Sequence, residues 1–415
     1  MLTNKLGFEG KKILQKVIKA ANQMGVNTYL VGGTVRDLYL NKTNYDLDIA
    51  IEGNAQEFAN FLNPVLGGDI RTYERFLSAT ITLPSFFVLD ITTTRKEIYL
   101  NYGSLPIVEP GNIYDDLKRR DFSINSLAIK LNNQDKEMII DPFNGLNDLD
   151  KGLIKVLHNE SFREDPTRIL RAARLLTRLK FNLEENTEKT LTKSIKYINR
   201  ISGTRLKNEY KKIVKEDNTL QILHLVDAWG VTPYVFPGIK LNYLNPKSIG
   251  FIKTWCRNRK EIETWLILLM LIYWQCSPKI DYIFEVPFDF SKKEKLCLEW
   301  MVENRKVIKR LIQENINFSF IQLHRLMYNV PEEVETFLLS LLGEKREFLI
   351  KEIKKARQGV YLPITGRDLL KYGFRPGPII GKILNNLEQE VLEGRINTRE
   401  EALNWLLEMR DNYAE

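Results

Sequence analysis

The chain is poor in the residues that build disulfides and histidine sites: its 415 residues include three cysteines and three histidines. Cys256, Cys276 and Cys297 stand about 20 apart, a spacing that fits neither a disulfide framework nor a zinc site, so a reducing, cytoplasmic setting is expected. His158, His224 and His324 are scattered, and none forms a His-Asp pair, so no histidine-based metal hydrolase is expected. Neither GxxxxGK(S/T) nor GxGxxG occurs, which removes two familiar glycine-rich cradles for nucleotides. The longest strongly apolar run, Trp265–Trp274, falls short of the roughly 20 residues of a bilayer span and reads as a buried helix. The N-terminus, MLTNKLGFEGKKIL, has no apolar signal core. No membrane association and no obligate protein partner are expected.

The composition is otherwise that of a folded protein, with 44% hydrophobic and 27% charged residues. The net charge of +8 is uneven. Residues 1–150 carry 16 Lys and Arg against 19 Asp and Glu, a net −3; the remainder carries 45 against 34, a net +11. A basic body behind a mildly acidic head fits a polyanion held by one part while chemistry proceeds on the other.

Helical and strand patterns alternate through the first 150 residues. KKILQKVIKAANQMG has helical spacing and a glycine stop, TYLVGG is a short strand entering a turn, and TVRDLYL restarts a helix. YDLDIAIEG, ATITLP and FFVLDITTT read as strands, NAQEFANFLNPVL as a helix, and 96–116 as a long loop rich in Gly, Pro and Asn. Beyond 151 nearly everything reads as helix, including DPTRILRAARLLTRLKF, GTRLKNEYKKIVKE and KREFLIKEIKKARQ. The expected fold is α+β, a mixed α/β head at 1–150 followed by all-helical segments at 151–235, 236–350 and 351–415.

Chemistry concentrates in a few strings. Gly32 and Gly33 follow a strand and precede a helix, a turn that bares backbone N–H groups to an anion such as a triphosphate, with Arg36 placed to add a charge-assisted contact. Asp46 and Asp48 stand two apart in a strand and so share one face. Two such carboxylates repel unless a cation lies between them, and Mg²⁺ takes oxygen ligands of this kind. A pair of Mg²⁺ ions about 4 Å apart would activate an attacking hydroxyl and stabilise a leaving pyrophosphate. Each feature alone is unremarkable in meaning, a tight turn or a solvated strand face; their order and spacing make them specific. Further on, Arg119, Arg120 and Asp121 set two guanidiniums beside a carboxylate, followed by Asn125. Asp165 before Pro166 has the grammar of a helix start. Arg168, Arg171, Arg174 and Arg178 then fall within about 120° of one helix face, a basic stripe. Glu164 and Asp165 lie three to four residues before Arg168, near enough to hold its guanidinium. Arg205 and Glu209 are spaced as a surface pair.

Gly-Gly, a short helix and Asp-x-Asp on a strand resemble the nucleotidyltransferase superfamily that includes DNA polymerase beta. The longer strings LVGGTVRD and YDLDIAIEG, RRDFSINS and EDPTRILRAAR resemble class II tRNA nucleotidyltransferases and the related bacterial poly(A) polymerases. That resemblance implies a polymerase-beta-like head, then neck, body and tail. It implies addition of C or A from CTP or ATP to the 3′ end of tRNA, with Mg²⁺ on Asp46 and Asp48 and Asp90 as the third catalytic carboxylate. It places Gly32, Gly33, Arg36, Arg119, Arg120, Asp121, Asn125 and Arg171 on the nucleotide, with Asp121 discriminating ribose from deoxyribose. Glu164, Asp165 and Arg168 become an amino-acid template that selects the base, and residues 201–214 a helix that stabilises it. Arg95 falls where the family has a basic residue before a mobile loop, here 96–116. The tail string PITGRDLLKYGFRPGPIIGK also resembles the family; in it Thr365 caps a helix, Gly377–Pro378 makes a stop, and Lys371, Arg375 and Lys382 gather for an RNA backbone. Arg174, Arg178 and that tail trio are the expected RNA contacts, gripping the acceptor end and T arm of tRNA. CC-only or A-only addition, poly(A) synthesis, and a non-catalytic RNA-binding protein on this fold stay open as alternatives.

Overall fold

In the computed structural model the described residues are 2–42, 46–85, 87–132, 137–277, 279–313, 320–343 and 361–410. The chain forms two compact units, Met1–Asn242 with Phe284–Asp289, and Tyr243–Ile283 with Phe290–Glu415.

The first unit is built on a seven-stranded sheet. In chain order its elements are α1 (Phe8–Met24), β1 (Asn27–Val31), α2 (Gly33–Tyr39), β2 (Asp46–Glu52), α3 (Ala55–Leu66), β3 (Asp69–Tyr73), β4 (Ser78–Thr82) and β5 (Val88–Thr93). There follow β6 (Arg95–Ile98), β7 (Ile107–Pro110), α4 (Ile113–Lys118), β8 (Ala128–Lys130) and β9 (Met138–Ile140). The strand order is β3-β4-β5-β2-β1-β8-β9, antiparallel except for the β2/β5 pair. On β2, Leu47, Ile49 and Ile51 are fully buried on one face, because side chains alternate along a strand. The opposite face carries Asp46, Asp48 and Ala50, and Ala50 joins Tyr29, Val31, Ala128 and the α4 residues Ile113 and Leu117 in a second core cluster. Thus α4 lies on the face that presents the two acids.

Residues 96–116 are not a continuous loop. β6 and β7 pair as an antiparallel hairpin, with Lys96 and Glu109 opposed and ion-paired at 2.8 Å, and α4 starts at Ile113 behind a capping box of Asn112 and Asp115. The Gly, Pro and Asn residues that read as loop occupy the hairpin's connection and the helix start.

Helices dominate the rest of the unit, joined by the short parallel pair Leu153–Ile154 and Asn182–Leu183. The stripe helix spans Thr167–Leu179, and a later helix spans Gly203–Lys215. In the second unit, helix Thr264–Cys276 buries every residue from Trp265 to Tyr273, as its unbroken apolar run requires. The tail helices Gly366–Lys371, Pro378–Leu392 and Arg399–Arg410 close over Ile364, Leu369, Ile383, Leu387 and Leu406. Thr365 starts the first of them through the Asp368 carboxylate, which accepts its N–H at 2.8 Å. Gly377 and Pro378 open the second helix rather than stop the first; proline at the first helical position gives up only an N–H that has no partner there. The string KREFLIKEIKKARQ lies outside the described residues. The three cysteines are buried and make no disulfide. No helix among the described residues is long and apolar enough to cross a membrane.

Candidate active site

β2 and β5 run parallel with Asp48 in register with Asp90, so the Asp46, Asp48 and Asp90 side chains stand on one face of neighbouring strands. Two threonine hydroxyls hold them. Thr80 on β4 donates to Asp90 Oδ1 at 2.6 Å. Thr34, fully buried on α2, accepts the Asp48 N–H at 3.0 Å and lies 3.4 Å from Asp48 Oδ2. Burial raises the Asp46 and Asp48 carboxyls above the usual range, and the Asp90 charge adds to it. For Asp48 the Arg120 guanidinium opposes that rise. Hard carboxylate oxygens that repel one another on a half-buried face fit Mg²⁺ held by Asp46 and Asp48. Among the described residues no three His, Cys, Asp or Glu side chains form a metal-holding group, so the fit rests on the β2 pair.

The glycine turn lies against this face. Gly32 has φ +64°, a backbone conformation that favours glycine, and a Cβ there would fall 2.3 Å from Arg120 Nη1, so the guanidinium would have to shift. Its N–H donates to Leu127 O at 2.9 Å. Gly33 begins α2, and a Cβ on it would lie 3.6 Å from Asp48 Oδ2, which measures how closely the turn approaches the acids. Arg36 is buried. Its guanidinium donates to Asn125 Oδ1 at 2.5 Å and pairs with Asp37 at 2.8 Å, so it ties α2 to the segment after Asp121.

Arg119 and Arg120 share a residue that sequence reading passed over. Asp116, with a fully buried carboxylate, accepts from Arg119 through Oδ1 (2.7 and 3.0 Å) and from Arg120 through Oδ2 (2.8 and 3.2 Å). Burial alone would raise this carboxyl, but Arg120 and Arg119 outweigh it and hold it below the usual range. Spacings of i,i+3 and i,i+4 on α4 were the available signal. Glu97 joins the cluster from β6, accepting from Arg95, Arg119 and Tyr99 at 3.0–3.1 Å. Asp121 is buried, and its oxygens are engaged by Arg171 (2.7 and 2.8 Å), Asn125 Nδ2 (2.9 Å) and the Phe122 N–H (2.9 Å). Despite burial, those partners hold its carboxyl far below the usual range.

The base-selecting string is wired differently from the sequence expectation. Arg168 is buried, but its guanidinium is held by Ser161 Oγ (2.5 Å) and Arg119 O (2.8 Å), not by Glu164 or Asp165. Asp165 takes an extended backbone between helix Ser161–Glu164 and the stripe helix, so the two acids do not stand one helical turn before Arg168 as an unbroken helix would place them. Glu164 lies 3.4 Å from His158. The stripe helix has Pro166 rather than Asp165 at its N-cap, and Asp165, which ends the preceding helix, accepts from the Thr167 N–H (3.1 Å) and hydroxyl (2.6 Å). Arg205 and Glu209 form no surface pair. Arg205 reaches across to Asp165 at 2.7 Å and to Gly103 O at 2.8 Å, while Glu209 faces Lys212 and Arg174. Gly103 has φ +79° and donates to the carbonyls of Arg163 and Glu164 at 3.1 Å, pinning the hairpin's connection to the same segment. Arg174 pairs with Glu216 at 2.9 Å, and Arg178 lies 3.9 Å from the same carboxylate.

These pieces surround a cavity of about 820 Å³. Gly33, Arg36, Asp48, Asp90, Arg119, Arg120, Asp121, Asn125 and Asp165 line it, and so does the whole stripe of Arg168, Arg171, Arg174 and Arg178. The stripe therefore faces the carboxylates. Lys371, Arg375 and Lys382 belong to the second unit and are exposed.

Paired carboxylates, a glycine turn and a guanidinium-lined cavity on a mixed sheet define a nucleotidyl-transfer site. Comparison with known proteins gives the same class. The Poly A polymerase head domain family matches residues 28–155, the family described as a probable RNA and SrmB-binding site of polymerase A matches 180–242, and tRNA nucleotidyltransferase domain 2 matches 350–406. The A-adding tRNA nucleotidyltransferase of Halalkalibacterium halodurans is 31% identical over 98% of this chain and 94% of its own. The chain spans 47% and 45% of the longer A-adding tRNA nucleotidyltransferases of Geobacter sulfurreducens and Aquifex aeolicus. Among solved structures, a CCA-adding enzyme with ATP is 29% identical with a TM-score of 0.70, covering 100% of this chain and 98% of that one. The Thermotoga maritima CCA-adding enzyme complexed with tRNA is also 29% identical, with a TM-score of 0.63 and coverage of 98% and 97%. The chain belongs to the tRNA nucleotidyltransferase family.

Proposed function

We propose that this chain adds nucleotides from ATP or CTP to the 3′ end of tRNA, releasing pyrophosphate. The observation that carries the reading is the register of Asp48 with Asp90 beside the Gly32–Gly33 turn, inside one arginine-lined cavity. The acceptor's 3′ oxygen attacks the α-phosphorus in line. A P–O bond forms, the bond from the α-phosphorus to the bridging oxygen of the β-phosphate breaks with pyrophosphate taking the electron pair, and the hydroxyl proton passes to water. The Gly32–Gly33 turn holds the triphosphate through its close backbone and the Gly33 end of α2, the Gly32 N–H being given to Leu127 O. Arg119 and Arg120, oriented by Asp116, neutralise charge that builds on it, while Asp121, Asn125, Arg36 and Arg171 keep that wall in place. Arg168 and Asp165 read the base, with Glu164 beside them. Mg²⁺, when bound by Asp46 and Asp48, supplies charge stabilisation at the phosphates.

A addition is common to the A-adding and the CCA-adding relatives, so ATP is the first donor we assign. The head at 1–150 carries the chemistry, the neck at 151–235 selects the nucleotide, and the body and tail at 236–350 and 351–415 grip the tRNA acceptor end and T arm in the cytoplasm. Arg174, Arg178, Lys371, Arg375 and Lys382 serve that grip.

The test uses tRNA transcripts ending before C, after C and after CC, each supplied with CTP, ATP or both. Extension of the CC-ended transcript by one A supports the reading, and added C residues on the shorter ones extend it to full CCA synthesis. Extension of an oligo(A) primer in preference to tRNA would favour a poly(A) polymerase. Binding without any extension would leave a non-catalytic RNA-binding protein.

A further inference from the structure

Asp90 is held by a short hydrogen bond, in which the Thr80 hydroxyl donates to Oδ1 at 2.6 Å. That length is typical of a hydroxyl donating to a carboxylate. The described residues lining the nucleotide cavity include Asp90 but not Thr80, which stands behind it on β4. We propose that Thr80 is a positioning residue for nucleotidyl transfer, fixing the Asp90 carboxylate and acting on the reaction only through it. The proposal rests on the nucleotidyl-transfer reading of the site, with Asp90 as its third carboxylate.

The sheet sets this contact. β4 and β5 are antiparallel with Thr80 directly opposite Asp90, and β5 and β2 are parallel with Asp90 opposite Asp48. One row across the sheet therefore carries Thr80, Asp90 and Asp48 on the same face. The register is fixed from the other face. Ala79 and Ile81 on β4 and Leu89 and Ile91 on β5 are buried there, and a slip of one residue would drive Thr80 into that core. Threonine is branched at Cβ, which restricts its χ1, so the strand backbone sets the direction of the hydroxyl.

Thr80 and Asp48 flank Asp90 on opposite sides of that row. A hydroxyl on Oδ1 therefore holds the carboxylate toward β4, against the pull of a shared metal site on β2. The three acids repel one another. Burial and then the Asp90 charge raise the Asp46 carboxyl, and the same charge adds to the rise that burial gives Asp48 against the Arg120 guanidinium. Without a partner, Asp90 would rotate to relieve that repulsion and would keep no set distance from the reacting groups. With Oδ1 committed to Thr80, Oδ2 is left for the chemistry at one place on the cavity wall. Fixing a charged group in advance acts on the transition state far more than on substrate binding, so Thr80 belongs to the rate and not to affinity.

The experiment follows addition of A to a tRNA transcript ending in CC by the full chain with ATP and Mg²⁺, in single-turnover and steady-state regimes. Thr80→Val keeps the β-branched shape and loses the hydroxyl, Thr80→Ala loses it without an added methyl, and Thr80→Ser retains it. Loss of a hydrogen bond to a charged group should lower the single-turnover rate constant about tenfold or more in the Val and Ala variants, with the KM for ATP and for tRNA unchanged. Thr80→Ser should restore the rate. The rate constant does not depend on the fraction of folded protein, so a loss of fold appears as lost amplitude instead. A Val or Ala variant that transfers at the wild-type rate overturns the proposal. So does a rise in either KM that accounts for the lost activity, or a Ser variant as slow as the Val variant. If wild-type protein extends the transcript and any of these results appears, the positioning role fails while the transfer reading stands. If it extends no RNA, both fail.

Discussion

Replacing Asp116 by Asn removes one charge and almost no volume, at a position where two nucleotide-facing arginines converge. Asp116 has no exposed carboxylate surface, and it accepts four hydrogen bonds from Arg119 and Arg120, whose side chains are 17% and 16% exposed. The amide would keep one acceptor and turn an NH₂ toward the other guanidinium. Breaking a buried ion pair by removing one partner costs about 3–5 kcal/mol, and the partial exposure of both arginines argues for the lower end, about 3 kcal/mol. For a unit of this size that corresponds to a fall in Tm of about 6–12 °C. The arginines would also lose their orientation toward the triphosphate. A charge-assisted hydrogen bond is worth about 1.5–3 kcal/mol, so the KM for ATP should rise at least about tenfold. The pH dependence carries a sign. Because Arg120 and Arg119 hold the folded carboxyl below its unfolded value of about 3.9, the stabilisation is fully present above that pH and is lost as pH falls through the folded value. Urea unfolding followed by tryptophan fluorescence at pH 7 and pH 3 reads the difference. The gap between wild type and variant should be large at pH 7 and shrink at pH 3. A gap under about 0.5 kcal/mol at pH 7 with an unchanged KM for ATP would refute the reasoning.

Asp46→Ala should lower kcat by at least about 10³-fold and leave tRNA affinity in a filter-binding assay nearly intact; transfer at a normal rate with Mg²⁺ present would remove the metal assignment. Arg168→Ala should narrow the discrimination between ATP and CTP by about tenfold or more, measured as a ratio of kcat/KM, with a smaller change in tRNA binding. Unchanged selectivity would show that Arg168 does not read the base. Reversing charge at Lys371 and Arg375 should raise the KM for tRNA and reduce the slope of log affinity against log salt by about 2; if neither moves, the tail does not touch RNA.

Much of the site was legible because its parts are local. Gly32, Gly33, Asp46 and Asp48 fall within a single turn–helix–strand passage, where spacing alone sets the face, and the stripe from Arg168 to Arg178 follows from helical geometry. What misled the reading was partner choice. Glu164 and Asp165 are near Arg168 in sequence, yet the helix breaks at Asp165, whose carboxylate meets Arg205, forty positions away. Arg205 and Glu209 look like a surface pair because i,i+4 spacing permits one, but both are drawn inward by Asp165, Gly103 and Arg174. Asp116 drew no notice because an acid in the first turn of a short helix is ordinary at the surface, and its burial follows from α4 packing over β2.

By itself, then, the amino-acid sequence determined the elements, the face on which the two acids stand, the basic helix stripe and the family. These depend on strand and helix periods and on short motifs, each complete within about twenty residues. Only the tertiary structure decided that Asp90 stands in register with Asp48, that the stretch after Arg95 is a hairpin, and that the arginines are held by Asp116, Asp121, Ser161 and Glu97. Those facts depend on which strands pair and which helix covers them, and a guanidinium takes whichever carboxylate the fold leaves beside it rather than the one nearest in sequence.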